Sequence, residues 1–155
     1  MTSSEAHIHS TPQQGVASQP WVIDTNIVLD LWLFEDPATV PLRTALQSGR
    51  ITHLATCSMR EELARVLTYP HIVKRMAKSH IQAQDILQRF DEHLLAAEPA
   101  AKAPCTCKDP DDQKFIDLAV AHGVPLLSKD AAILCMKKRL FQAGVLLNPA
   151  VIPTP

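Results

Sequence analysis

Short apolar runs alternate with stretches of helical spacing along most of this chain. Trp21-Val22-Ile23 is an uninterrupted apolar run that fits a buried strand, and Ile27, Val28, Leu31 and Trp32 then recur at helical spacing between Asp24 and Phe34. Asp36-Pro37 supplies an N-cap with proline at the first helical position, and Gly49 a C-terminal stop. His53-Leu54-Ala55-Thr56 reads as a second strand. Ser58 with Glu61 three residues on has the capping-box pattern of a following helix, which Tyr69-Pro70 breaks. A further pair of helices is predicted over roughly 70–96, the second capped by Ser79 with Gln82 following, and 98–108 reads as a loop. Asp109-Pro110 opens another helix that Gly123 closes. Leu126-Leu127-Ser128 is a third strand and Gly144-Val145-Leu146-Leu147 a fourth, with a basic amphipathic helix between them. Residues 1–19, rich in Ser, Thr, Gln and Pro and without periodicity, are expected to form a disordered leader. A single domain is expected over 20–150, followed by a tail over 151–155.

Strands alternating with helices predict an α/β fold around a mostly parallel sheet with right-handed crossovers. Ligands of such sheets bind beyond the carboxyl ends of the strands, which is where candidate chemistry is sought. Composition narrows the choice. Fifteen Lys+Arg against sixteen Asp+Glu leave a formal net charge of −1, so a nucleic-acid role has to rest on a local site and not on overall charge. Four glycines, none close to another, exclude a Gly-rich phosphate loop. No apolar run approaches the ~18 residues of a membrane span, and the start lacks the charged and apolar regions of a secretory signal. A cytoplasmic protein with its four cysteines reduced is the expectation. Cys105-Thr-Cys107 has no second pair to complete a zinc tetrahedron.

Acidic residues cluster where strands give way to helices. Asp24 follows the first strand and Asp130 the third, Glu61 and Glu62 lie on the helix after the second, and Asp109, Asp111 and Asp112 crowd one helix start. Any one of these acids could serve only as a cap or a dipole partner. Helix geometry separates them, at about 100° per residue. Met59, Leu63, Val66 and Leu67 form an apolar stripe; Glu61 points away from it into water, whereas Glu62 sits on its margin and needs a cation or a hydrogen-bond partner. Asp112 stands one turn before the buried Phe115 and Ile116, while Asp109 has the better position for an N-cap. Asp24, Glu62, Asp112 and Asp130 are therefore the carboxylates that could share one pocket. Ionised together they would raise one another's pKa unless a cation intervened, and an all-oxygen set suits Mg²⁺ or Mn²⁺ better than Zn²⁺. Such sites hydrolyse phosphate esters.

Four segments in this order resemble those of PIN-domain proteins: Val22-Ile23-Asp24-Thr25-Asn26, Ser58-Met59-Arg60-Glu61-Glu62-Leu63, Asp109-Pro110-Asp111-Asp112-Gln113-Lys114-Phe115, and Leu126-Leu127-Ser128-Lys129-Asp130. The resemblance covers about residues 20–148. It implies a three-layer α/β/α sandwich and a Mg²⁺- or Mn²⁺-dependent ribonuclease acting on single-stranded RNA. Asp24, Glu62, Asp112 and Asp130 match the family's acidic quartet, Asn26 a polar residue near the metal, and Ser128 the Ser/Thr before the last acid. The Asp109-Pro110-Asp111-Asp112 variant is most similar to toxins of bacterial toxin–antitoxin pairs, which implies a cognate antitoxin and a homodimer. Arg60 and Lys129, beside the second and fourth segments, are the candidate phosphate contacts. Lys137-Lys138-Arg139 reads as a solvated helix face. Two other acidic-pocket families fit less well: a haloacid-dehalogenase-type phosphatase needs an acid where Asn26 stands, and a receiver domain needs paired acids before Asp24. A catalytically degenerate PIN-like module that binds RNA or acts as a scaffold is the alternative to the enzyme.

Overall fold

The Trp21-Val22-Ile23 run is buried because it forms part of an inner strand, paired on both sides, of a four-stranded sheet. The computed structural model describes residues 17–151. Its elements run β1 (Gln19–Ile23), α1 (Thr25–Trp32), a 3₁₀ turn (Pro37–Thr39), α2 (Val40–Gln47), β2 (Ile51–Ala55), α3 (Cys57–Val66) and α4 (Pro70–Lys78). They continue with α5 (Ala83–Glu92), β3 (Leu94–Ala96), α6 (Gln113–His122), β4 (Leu126–Leu127), α7 (Ala131–Leu134) and α8 (Lys137–Gln142). The strands lie in the order β3-β2-β1-β4, all parallel, with Trp21 opposite His53 and Ile23 opposite Leu127. Helices α1, α2, α3 and α5 lie on one face, where α1 touches the other three, and α6 on the opposite face against β1 and β4, the arrangement that crossovers of one hand produce. The result is the expected three-layer α/β/α sandwich around a parallel sheet. The expected leader lies outside the described residues as far as residue 16, and Gln19 already belongs to β1; of the expected tail only Val151 is described. Among the described residues no helix is long and apolar enough to cross a membrane.

Several boundaries differ from the sequence reading. The α3 cap is Thr56 and not Ser58: its extended backbone continues β2, and its hydroxyl accepts from the Met59 N–H at 3.4 Å. The α5 cap is Gln82, whose side chain and that of Asp85 satisfy each other's backbone N–H groups, whereas Ser79 ends α4. The stretch expected to be purely helical to residue 96 ends in strand β3, which pairs Leu94 with His53. Leu94-Leu95-Ala96 follows the α5 C-cap without a turn residue and carries no β-branched side chain, so its apolar pattern merges with that of the helix. The expected fourth strand shrinks to one parallel bridge, Leu126 to Leu147. The basic helix is broken at Cys135-Met136 into α7 and α8. Asp109-Pro110 precedes α6 by a turn: Asp109 Oδ1 accepts from the Asp111 N–H at 2.9 Å, and regular helix starts at Gln113.

His53 shows what the core demands of a polar group. It is buried in β2, meets the Phe90 ring edge-on at 4.7 Å, and its pKa is pushed down to about 4 by burial, against a hydrogen bond to the Ile23 backbone. Between about pH 6.5 and 4 the unfolded chain binds this proton and the folded chain does not, so stability falls as pH falls. The loss from this residue alone is about 3 kcal/mol across that window. Urea unfolding of the wild type and of His53→Gln at about pH 7 and 4 should differ in slope with pH by that amount; parallel losses would show that His53 is not held neutral.

Candidate active site

Connections leave β1 and arrive at β4 in opposite senses, which makes the carboxyl ends of these two neighbours the place where such sheets form a binding crevice. The first residues past the strands, Asp24 and Ser128, meet there. The Asp24 N–H extends the ladder by donating to the Leu127 carbonyl at 2.9 Å. The buried Ser128 hydroxyl donates to Asp24 Oδ2 at 2.7 Å and accepts from the Asp130 N–H at 3.1 Å. One hydroxyl thus ties together the two acids that end the strands. Ser128 is itself clamped by Asn148, whose amide accepts from the Ser128 N–H at 2.9 Å and donates to its carbonyl at 2.7 Å.

Two further acids reach the crevice from the helical layers. Glu62, on the margin of the α3 apolar stripe, accepts from the Thr25 hydroxyl and, at 2.8 Å, from the Lys114 ammonium. Lys114 also donates to the Asp111 carbonyl at 2.7 Å. Asp112 lies buried at the head of α6. Its Oδ2 is shielded from solvent and has no hydrogen-bond partner.

The acids divide by what their side chains do locally. Asp130 caps α7, its Oδ1 accepting from the Ala132 N–H at 2.9 Å. Asp112 stands at the N-cap position of α6 yet makes no capping hydrogen bond. Asp24 makes none at α1 either, although the nearby Asn26 N–H favours its ionised form. Burial raises the Asp24 pKa; the Ser128 hydroxyl and the Asn26 N–H pull it back, and Glu62 and Asp130 push it up again. Asp112 is pushed up to about 7, first by burial and then by Asp130, Asp24, Asp109 and Glu62. The four predicted carboxylates therefore lie within one electrostatic neighbourhood, at the end of the sheet where they were sought. Asp24 and Asp112 carry its unfavourable charge.

The predicted cations are placed differently. Arg60 forms a two-pronged pair with Asp91, both bonds 2.8 Å, linking α3 to α5. Lys129 pairs with the buried carboxylate of Asp30 on α1 at 2.8 and 3.0 Å. Asn26 is exposed on the first turn of α1, and Lys137, Lys138 and Arg139 are exposed on α8. Lys114 was not foreseen as the partner of Glu62. The signal was present, however: a glutamate at an apolar margin needs a facing cation, and Lys114 is the only Lys or Arg on α6. Asn148 lies beyond the acidic segments and carries no such signal.

Removing one member of the Glu62–Lys114 pair leaves the other half-buried and uncompensated. Lys114→Met should cost about 2 kcal/mol of unfolding free energy. Adding Glu62→Gln should return about 1 kcal/mol of it, which a double-mutant cycle by urea denaturation reads directly. Simply additive costs would show that the two groups are not coupled.

The donor chemistry of the crevice, carboxylates and one hydroxyl with an unpartnered buried oxygen, suits a hard divalent cation. Among the described residues, however, no three His, Cys, Asp or Glu side chains are gathered closely enough to hold a metal ion as they stand. Both Glu62 oxygens are already engaged.

A family model for the PIN domain matches residues 20–131, from within β1 to the first residue of α7, and the match contains all four acids. No curated protein matches the chain. With nearly three quarters of its length matched and the parallel three-layer fold in place, the chain belongs to the PIN-domain family.

Proposed function

We propose that this PIN domain is an endoribonuclease that hydrolyses phosphodiester bonds of single-stranded RNA with Mg²⁺ or Mn²⁺, and that it is the toxin of a bacterial toxin–antitoxin pair. The observation that carries the reading is the buried, unpartnered Asp112 Oδ2, set in the field of Asp24, Asp130 and Glu62. A carboxylate oxygen kept dry, uncapped and among like charges costs stability unless a cation completes it. Asp24 and Asp112 would hold the ion, with Glu62 and Asp130 completing the shell directly or through water. When bound, such an ion supplies Lewis acidity and neutralises charge on the phosphate.

The protein's own residues would do the rest. Ser128 holds the Asp24 carboxylate in one orientation and fixes the Asp130 backbone beside it. Asp130 would orient the attacking water and take up its proton. Lys114 holds the Glu62 carboxylate in place through their ion pair. Lys129, next to Ser128 and exposed, could reach a substrate phosphate only by giving up its pair with the buried Asp30 carboxylate. A phosphate contact by Arg60 would cost its pair with Asp91. A cognate antitoxin would cover the acidic crevice, and a homodimer is the proposed assembly.

Purified protein incubated with a mixed-sequence single-stranded RNA should cut it with Mg²⁺ or Mn²⁺ and not with EDTA. Expression of the chain in a host without the antitoxin should arrest growth; unaffected growth removes the toxin role. The absence of a ready three-acid cluster and the engagement of Glu62 by Lys114 favour a second reading, a PIN-like module that binds RNA without cutting it. RNA affinity without cleavage under every metal condition would select that module over the enzyme.

A further inference from the structure

The cysteines are unused by the reading above, and two of them meet in the fold. Cys107, buried in the loop before α6, and Cys135, exposed at the C-cap of α7, both direct their thiols at one atom, the Ala132 carbonyl oxygen, at 3.6 and 3.2 Å. Twenty-eight positions apart in the chain, the two sulfurs flank a single oxygen. The loop side of this contact is held firmly. The Gln113 side chain accepts from the Cys107 N–H at 2.6 Å and donates to the Cys105 carbonyl at 3.0 Å and to Asp117 at 2.8 Å. Asp117 in turn accepts from the Ala103 N–H at 2.8 Å. The Cys105-Thr-Cys107 turn is thereby fastened to the first turns of α6, directly after Asp112. On the other side, Ala132 belongs to the helix that Asp130 caps, through its own N–H.

We propose that Cys107 and Cys135 are a reversible redox modification site, closing to a disulfide that couples the loop leading to Asp112 with the helix capped by Asp130. The oxidant class is a low-molecular-weight disulfide such as glutathione disulfide. The exposed Cys135 thiolate attacks one of its sulfurs, forming a mixed disulfide on Cys135 and expelling one glutathione thiolate, which takes a proton from water. Cys107 then gives its proton to solvent, attacks Cys135 Sγ and expels the second glutathione. Two protein thiols are oxidised and one glutathione disulfide is reduced to two thiols. The order follows exposure: Cys135 is accessible to the oxidant, whereas Cys107 is buried. Joining the sulfurs at the ~2 Å of a disulfide bond requires movement of α7 or of the Cys107 loop. Both segments present site acids, and a displacement of ~1 Å in a site of this kind can cost about a hundredfold in rate. This last consequence rests on the nuclease reading; the crosslink does not.

The test uses the full chain, reduced and then equilibrated natively with glutathione disulfide, followed by alkylation and peptide mapping without reductant. The expected product has lost two hydrogens and contains one linked peptide pair joining Cys107 to Cys135, reversed by excess thiol. Cys107→Ser and Cys135→Ser should each abolish the link, while Cys57→Ser and Cys105→Ser retain it. A native link to Cys105 in its place, stable glutathione adducts without crosslinking, or a link formed only in urea would each overturn the proposal. Rate on RNA before and after oxidation is a separate reading. A crosslinked protein that never cut RNA would leave the disulfide standing and remove the nuclease.

Discussion

Asp24→Asn and Asp112→Asn proteins are expected to cleave single-stranded RNA at least about a thousandfold more slowly than the parent chain, a loss of about 4 kcal/mol of transition-state stabilisation. An amide keeps the size of the carboxylate but not its charge, and a hard divalent ion is held chiefly by charge. The two substitutions differ in what they leave intact. At position 24 an amide oxygen can still accept from Ser128, so the strand-end hydrogen bond survives and the fold with it. At position 112 there is no hydrogen bond to Oδ2 to lose. Both variants should therefore fold, and their circular dichroism should match that of the parent, which separates lost chemistry from lost structure. Cleavage within tenfold of the parent in either variant would remove that acid from the proposed site. Metal-independent cutting that survives both would point to a contaminant.

Asp112→Asn should also make the metal-free protein more stable. In the parent the folded-state pKa of Asp112 is raised from 3.8 to about 7, so between those values the folded chain binds a proton that the unfolded chain releases. Stability is consequently lost as pH rises through this window, and above it the buried charge costs on the order of 4 kcal/mol. The amide carries no such penalty. Urea midpoints of parent and variant in EDTA should nearly coincide at about pH 4 and separate progressively towards pH 8, with the variant ahead. Adding Mg²⁺ at about a hundred times its dissociation constant should return about 2.7 kcal/mol to the parent and close most of the gap. Equal stabilities at about pH 8 in EDTA would mean that the carboxylate is not under the strain assigned to it. A gain in stability coupled to a loss of cleavage is the pattern of a residue kept for chemistry.

Much of this was legible in the sequence because the relevant signals are short in range. The run of Trp21 to Ile23, the buried face of Phe115, Ile116, Leu118 and Ala119, and the left-handed Gly123 that ends α6 follow from apolar pattern and backbone preference alone. The same arithmetic placed Glu62 at an apolar margin and Glu61 in solvent, and both lie there. It also separated Asp112, buried and free of capping, from Asp109, which holds the turn before it. What was lost depends on long-range pairing. Strand β3 exists because β2 offers it an edge, and nothing local in Leu94-Leu95-Ala96 announces that. Thr56 displaced Ser58 as a cap because β2 delivers it already extended. Arg60 stands beside a site motif in sequence, but Asp91, thirty-one residues on, claims its guanidinium. Adjacency to a motif sets a side chain's neighbourhood but not its partner.

The hydroxyl of Ser128 joins Asp24 to a part of the chain made 104 residues later, and Asn148 secures it later still. During synthesis at about 5–20 residues per second, Asp24 waits roughly 5–20 s before Ser128 is even polymerised. Its strand neighbour β4 and the backbone of Asp130 arrive in the same interval. While still attached to the ribosome, and so surrounded by RNA, the growing polypeptide holds its acidic side chains far apart. The crevice is gathered only once the chain has been made as far as Ser128 and Asn148, so any cutting power it confers cannot precede their synthesis.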